Sequence, residues 1–188
     1  MISKYKRALK ILDFDIENRP LSYWTPDRPT CEITAIASCW YNDINSMSAD
    51  LLGVTDTVII LSNFVSRYNE ADMVTGHYIR MHDLPIINGA LLEFGLPKLE
   101  PKLVCDTRLD MYKKGDIPAT QEYLGEILGV TIQKYHMTQN DWRTANRLLP
   151  AGLEATRKRV TTDVYQHMLI RGKMLELGLL KPPRMWAP

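Results

Sequence analysis

The chain predicts an α/β domain built on a mixed sheet, with antiparallel strands first, then parallel strands joined by helical crossovers, and helices on both faces. Three observations predict it. Two strand-like stretches, alternating or rich in Ile, Ala and aromatic residues, lie close together near the N-terminus at 10–16 and 31–40. Two shorter ones, at 73–77 and 102–105, are separated by segments of helical periodicity. The remainder, from about 120 onward, reads as helices. A length of 188 residues suits one domain with a substantial core, read as 1–188 with an extended tail at 181–188.

Each element has its own signal. Lys10 to Ile16 alternates as a strand, and Pro20 is expected to end it. Pro20, Pro26 and Pro29 make Asn18 to Thr30 a loop or hairpin connection. Cys31 to Trp40 is a second strand turned by Asn42-Asp43, and a third, weakly signalled, lies near Ser46 to Leu52. Asp56 to Tyr68 is helical, because Leu61, Phe64, Val65 and Tyr68 fall on one stripe and Thr55 or Asp56 can cap it. Met73 to His77 is a short strand. Leu84 to Phe94 is a helix that tolerates Pro85 in its first turn and stops at Gly95. Lys102 to Cys105 is another short strand, closed by Asp106-Thr107.

Thr120 to Leu128 is a helix stopped by Gly129, and Thr138-Gln139-Asn140-Asp141 opens one running through Trp142, Ala145 and Leu149. Pro150-Ala151-Gly152 is expected to break the chain before a long helix from about Leu153 to Glu176. Val160, Val164, Met168 and Leu175 mark its buried edge, and Trp186 is expected to pin the tail.

Composition excludes several classes. Hydrophobic residues at 45% and charged residues at 24% are globular values, far from a disordered chain. A formal net charge of +1 rules out a histone-like field, so nucleic-acid contact must come from a local patch. Three cysteines with no CxxC pair argue against a disulfide framework or a zinc site and predict reduced thiols. No apolar run approaches the roughly 18 residues that span a bilayer. The basic start Met1 to Arg7 is followed at once by Asp13, Asp15 and Glu17 and does not read as a signal peptide, so a cytoplasmic protein with no membrane partner is expected.

The chemistry rests on acids. Asp15 and Glu17 are two apart on a strand and therefore share a face, while Phe14 and Ile16 point the other way, toward a core. Two carboxylates side by side at a buried strand end repel and lose hydration unless a cation lies between them, and hard oxygen ligands suit Mg²⁺ or Mn²⁺. The plain alternative is an exposed strand end. Asp13 shares that face and could support the pair or replace one member. Asp83 opens a helix, where an aspartate is ordinarily a cap or a dipole partner. Nearby His77 and His82 read more simply as hydrogen-bonded or solvated side chains. Arg159, Asp163 and His167 share one stripe of the last helix. Either Arg159 and Asp163 form an ordinary surface pair, or Asp163 points at the strand carboxylates with Arg159 and His167 at the edge of the site.

Together these residues resemble the DnaQ-like 3′→5′ exonucleases of the ribonuclease H-like superfamily. Ile11 to Pro20 looks like their first motif, a DxE on the first strand. Gly76-His77 through Asp83-Leu84-Pro85 resembles the second, and Asp163-Val164 with Gln166-His167 the third. Asp106-Thr107 and Asp141-Trp142 are similar to the small stand-alone members found in bacteriophage genomes, for which the host cytoplasm is the compartment.

The resemblance implies a ribonuclease H-like fold and hydrolysis of DNA phosphodiester bonds with two Mg²⁺ or Mn²⁺ ions. Asp15, Glu17, Asp83 and Asp163 would be the ligands, and single-stranded DNA or DNA 3′ ends the partner. Where members of the family place a Tyr or His as general base, this chain has Arg159 and Lys158. Neither is a base at neutral pH, so His167 or His82 becomes the candidate base and Arg159 a candidate phosphate contact. Asn18, His77 and Tyr78, the last where the family commonly has Asn, are candidate substrate contacts. Tyr23, Trp24, Arg19, Arg28, Arg80 and Lys158 could stack on or neutralise a single strand. A catalytically weakened nucleic-acid-binding or host-interaction module on the same fold, and a ribonuclease H-like endonuclease, are the alternatives.

Overall fold

The computed structural model describes residues 8–21, 30–111 and 118–188. Tyr23, Trp24, Arg28 and the basic start lie outside the described residues. Strands β1 (Ile11–Leu21), β2 (Thr30–Trp40), β3 (Asp43–Leu51), β4 (Met73–Gly76), β5 (Lys102–Asp106) and β6 (Arg184–Trp186) form one sheet in the order β3-β2-β1-β4-β5-β6. The first three strands pair antiparallel, while β1, β4 and β5 run parallel. The helices are α1 (Thr57–Glu70), α2 (Asp83–Glu93), α3 (Thr107–Met111), α4 (Gln121–Ile127), α5 (Gln139–Asn146) and α6 (Pro150–Glu176). The architecture is the expected mixed α/β sheet with helices around it, consistent with a ribonuclease H-like fold.

Alternation along β1 divides the molecule. Leu12, Phe14 and Ile16 face a core closed by Ile60, Leu61, Phe64 and Tyr68 of α1 and by Leu84, Ile87 and Leu91 of α2. On the other face Ala35, Ala37 and Cys39 of β2 and Leu51 of β3 are covered by Val160, Val164 and Met168 of α6. Small residues on β2 let α6 lie close to the sheet, so side chains from the middle of α6 reach Asp13, Asp15 and Glu17 of β1.

Several boundaries differ from the sequence expectation, each for a local reason. Pro20 does not end β1, which runs on to Leu21 paired with β2. Beyond Asp13 that strand has β2 alone as a ladder partner among the described strands, and an edge tolerates a residue without an N–H. The β2–β3 turn is Tyr41-Asn42, with Asn42 at φ 60°, and β3 is a full strand. Asp83 belongs to α2, after His82 at its cap position. Pro150 does not break the chain. It is the first residue of α6, where the missing N–H would have had no helical partner. The preceding helix stops at Asn146, short of Leu149, after opening with the expected Thr138–Asp141 capping box. Gly152 is required where α5 crosses α6, because a Cβ there would lie 2.0 Å from the backbone nitrogen of Ala145. The tail adds β6 antiparallel to β5, and Trp186 packs on the α1/α2 core.

Cys39 and Cys105 are buried free thiols. Among the described residues no helix is long and apolar enough to cross a membrane.

Candidate metal centre

Sheet geometry gathers the acids. Asp15 and Glu17 leave β1 on the α6 side, and Asp163 reaches them from mid-helix, so that one oxygen of each lies within 4.8 Å of the others. Asp83 arrives from a different direction. The β1–β4 ladder stops at Asp13–Thr75, because β4 ends at Gly76 and the chain turns away. Gly76 is needed for that turn, since a Cβ there would stand 2.8 Å from the Phe14 carbonyl. Past the end of the ladder, the Ile16 N–H donates to Asp83 Oδ1 at 3.2 Å. A backbone donor that a longer ladder would have used thus holds the fourth carboxylate beside the strand.

At the other end of the site a bulge interrupts the β1–β2 ladder between Glu17–Ala35 and Asn18–Ile33. Thr34 is the extra residue, and its Oγ1 donates to the Glu17 carbonyl at 3.0 Å. Bulges of this kind re-aim side chains next to sites.

The electrostatics follow from the crowding. Burial raises the Asp15 carboxyl well above its ordinary range, and Asp83, Asp163 and Glu17 each add to the rise. Asp15 keeps some accessible surface, but the protein packed around it dominates. Burial also pushes Asp83 up to about 7, against the opposing Ile16 N–H. Glu17 and Asp163 are raised by burial too, opposed chiefly by Arg159 and Lys134 respectively. Arg159 donates through Nε to Glu17 Oε1, and Lys134 Nζ lies 2.7 Å from Asp163 Oδ2.

Asp163 Oδ1 is buried and has no partner among the described residues. Four carboxylates facing two side-chain cations, with one buried oxygen left unsatisfied, form a donor set that fits hard divalent cations. A divalent cation would be held by Asp15, Glu17 and Asp163, with Asp83 beside them.

Lys134 had no sequence signal. It lies in the irregular segment 130–137, which lacks periodicity or motif. That segment is strapped to α6 by amides: Gln121 Nε2 donates to Gln166 Oε1 at 3.1 Å, and Gln166 Nε2 donates to the Ile132 carbonyl at 2.9 Å. Gln121 Nε2 also reaches the Asp163 carbonyl at 2.8 Å. The two buried glutamines that face each other here are 45 residues apart in sequence.

The remaining candidates divide. His167 is one turn beyond Asp163 and 2% exposed, with Nδ1 3.1 Å from Asp13 Oδ1. Asp13, fully buried, also receives Arg171 through Nε at 3.2 Å and Nη2 at 3.1 Å. These three form a buried unit beneath the acids.

His77 Nδ1 lies 3.0 Å from Thr107 Oγ1, and burial, with His167 and Arg108 nearby, lowers the ring to about 3, so it is neutral. His82 Nε2 is 3.1 Å from Asn18 Oδ1 at the open side. Tyr78 has φ 75°, a strained value for a tyrosine. Its loop is held by Asp106, whose carboxylate accepts from the Tyr78 and Arg80 N–H groups, each at 3.0 Å, while Arg108 lies 4.1 Å over the Tyr78 ring. Arg80 is half-buried, Arg19 pairs with Glu32, and Lys158 lies 4.5 Å over the Tyr135 ring.

These shifts predict a pH-dependent stability for the metal-free protein. A carboxyl whose folded pKa is raised binds more protons folded than unfolded, so stability falls as pH rises through the folded value. His77 and His82, both lowered by burial, act in the opposite sense, and their effect fades as the unfolded rings lose their protons around pH 6.5. Glu70 and Asp141 are lowered, but both are fully exposed and titrate below this range. Between about pH 7 and 8.5 the buried acids, Asp83 at about 7 among them, outweigh the histidines, and the raised thiols of Cys39 and Cys105 add to the fall at its upper end. In chelator, the urea midpoint is expected to fall across this window, and Mn²⁺ is expected to remove the fall. A flat or rising midpoint contradicts the proposed crowding.

No family model matches the chain, and neither does any curated protein. Among solved structures it is similar to a family B DNA polymerase from the hyperthermophilic archaeon Pyrobaculum calidifontis. The match has a TM-score of 0.69 over 95% of this chain at 16% identity. The chain spans about a quarter of that protein, 26% of its length. At this identity the likeness establishes the fold.

Proposed function

We propose that the chain is a divalent-metal-dependent phosphodiesterase, working as a 3′→5′ exonuclease on single-stranded DNA. The observation that carries it is the convergence of Asp15, Glu17 and Asp163 within 4.8 Å, with Asp83 bonded to the same strand. A fold shared with part of a DNA polymerase is in keeping with a nucleic-acid substrate. Two bound divalent ions would supply a water of lowered pKa and charge stabilisation of the leaving oxygen.

The chain's own groups do the rest. Asp15, central to the set, orients both halves of the site. Arg159 holds the Glu17 carboxylate, which leaves its guanidinium serving as an anchor, with Nη1 also on the Tyr135 carbonyl at 3.4 Å. His82, exposed and lowered by partial burial, is the neutral imidazole available at the open side for proton transfer. His167 is buried with Nδ1 3.1 Å from Asp13 Oδ1, and neither ring nitrogen has a hydrogen-bond partner among the described residues. With Lys158 and Arg159 where a Tyr or His base would stand, and without help from His82, such an enzyme would be slower by about 10²–10⁴-fold but not inactive.

The test is degradation of 3′-labelled and 5′-labelled single strands in Mn²⁺ and in chelator. Stepwise loss from the 3′ end, abolished by chelator, is expected; cleavage of a closed circle would instead indicate an endonuclease. A second reading, a weakened nucleic-acid-binding module, is favoured by Lys134 and Arg159 lying on the acid oxygens. It requires binding with no hydrolysis. Arg159→Tyr is expected to slow hydrolysis, because Glu17 loses its anchor, and to lower stability by about 1–3 kcal/mol through the unpaired carboxyl. A large gain in rate would show instead that Arg159 merely replaces a lost base.

A further inference from the structure

Strand β3 ends the sheet, with β2 as its ladder partner and no described strand on its other side. Its register with β2 fixes which backbone groups face outward. The Leu52 N–H donates to the Thr34 carbonyl at 2.9 Å, and antiparallel pairs alternate, so Ser48 and Asp50 also turn their groups to β2. Met47, Ala49 and Leu51 turn theirs away, toward the place where another strand would add. An edge of this kind is a template for pairing with another chain unless something blunts it.

Carbonyls along this edge are already taken, each from a different direction. The Leu51 carbonyl accepts from the Val54 and Thr55 N–H groups of the following turn, at 3.1 and 2.9 Å. The Ala49 carbonyl accepts from Arg157 Nη1 of α6 at 3.0 Å. Near the start of β3, where the ladder shifts register, Ser46 Oγ accepts the Trp40 N–H at 2.8 Å. The Ser46 carbonyl accepts instead from Arg67 Nη2 of α1 at 3.0 Å. Arginines from helices on opposite faces of the sheet thus wrap round the same edge.

The strand itself suits its own copy. With Ala49 on a two-fold axis, Ala49 meets Ala49, Met47 meets Leu51 and Ser48 meets Asp50, so no like charges stand opposite within the strands. Met47, Ala49 and Leu51 would extend the apolar layer that α6 covers. The obstacle is Arg157. Its guanidinium occupies the acceptor at the centre of that register, and the symmetry would bring two such cations together on the axis. Its side chain is 40% exposed, with Glu154 3.9 Å away, so its loss opens no cavity in the core.

We propose that Arg157 keeps β3 from pairing antiparallel with β3 of a second copy of this chain, with Arg67 and the turn at 53–55 closing the edge to either side. Without Arg157, the Ala49 amides and carbonyls would exchange across the axis. Each Leu51 N–H would then meet the Met47 carbonyl of the other copy.

Sedimentation equilibrium of the full chain up to about 1 mM tests this. The native chain is expected to stay monomeric. Arg157→Ala is expected to dimerise more tightly by roughly tenfold to a hundredfold, because each copy regains an acceptor and the axis loses two charges. In that dimer the Ala49 and Leu51 amides are expected to gain protection from hydrogen exchange. Adding Ala49→Pro to Arg157→Ala is expected to restore the monomer, since proline removes the outward N–H on the axis and an edge strand tolerates it. Arg157→Lys, which keeps a cation over the edge, is expected to behave as the native chain. An Arg157→Ala protein that stays monomeric throughout overturns the proposal, as does a native chain that associates as strongly. Association that leaves the two amides exchanging as in the native chain, or that survives Ala49→Pro, also overturns it, because another surface is then responsible. Should the proline variant fail to fold, amide exchange in Arg157→Ala decides alone.

Discussion

Asp15→Asn is expected to abolish hydrolysis and, at the same time, to make the metal-free protein harder to unfold. Asp15 is the carboxylate that feels all three of the others, since Asp83, Asp163 and Glu17 each push it upward after burial has done so. Removing its charge takes away the shared ligand of the proposed centre. Metal-ion charge stabilisation is worth several kcal/mol, so the rate should drop by roughly a thousandfold or more. In the absence of metal the same carboxylate is a liability. Its folded pKa is raised, so at pH 8 the ionised form penalises the folded state, and an asparagine does not. A gain of about 1 kcal/mol is expected, the usual size when a functional residue is relieved. The gain should shrink at low pH, where Asp15 would be protonated anyway. Rates and urea midpoints at the two pH values check both halves, and native-like turnover by the variant would sink the proposed centre.

Asp13→Asn should do the reverse, although Asp13 is on the same face of β1 only two residues away. Its carboxylate is fully buried and accepts from two nitrogens of Arg171, with His167 Nδ1 3.1 Å away. Arg171 is itself 3% exposed. Neutralising one partner leaves a buried guanidinium with reduced compensation, a change that typically costs about 3–5 kcal/mol. The Asp13→Asn protein should therefore melt far lower than the native one, with or without Mn²⁺. Its residual activity, assayed where it is still folded, should exceed that of Asp15→Asn. An unchanged midpoint would mean that the Asp13–Arg171 pair does not hold α6.

The opposite signs expected for two neighbouring aspartates explain what was legible in the sequence. Alternation placed Asp13, Asp15 and Glu17 on one face and Phe14 and Ile16 on the other, and that pattern depends only on strand geometry. Asp83 and Asp163 were found by resemblance, because nothing local distinguishes a ligand from a helix-start aspartate or a surface pair. What separates Asp13 from Asp15 is Arg171, which is 158 residues away from Asp13 and has no periodic relation to it. Lys134 was invisible for the same reason, being presented by an irregular segment whose placement depends on Gln121 and Gln166. The proline boundaries are set by tertiary context rather than by local sequence. Pro20 is tolerated because β1 outruns β4, and Pro150 because the first turn of a helix has no use for its N–H.

The contact at Gly152 and the Asp13–Arg171 pair have a mechanical consequence. They fasten the 27-residue α6 near both ends, like a beam resting on two supports with Asp163 near mid-span. Such a beam resists sliding along its axis, so the carriage of Asp163 stays registered against β1 whatever the charge state of the acids. The long side chains of Lys134 and Arg159 then meet carboxylates whose positions the frame has already set.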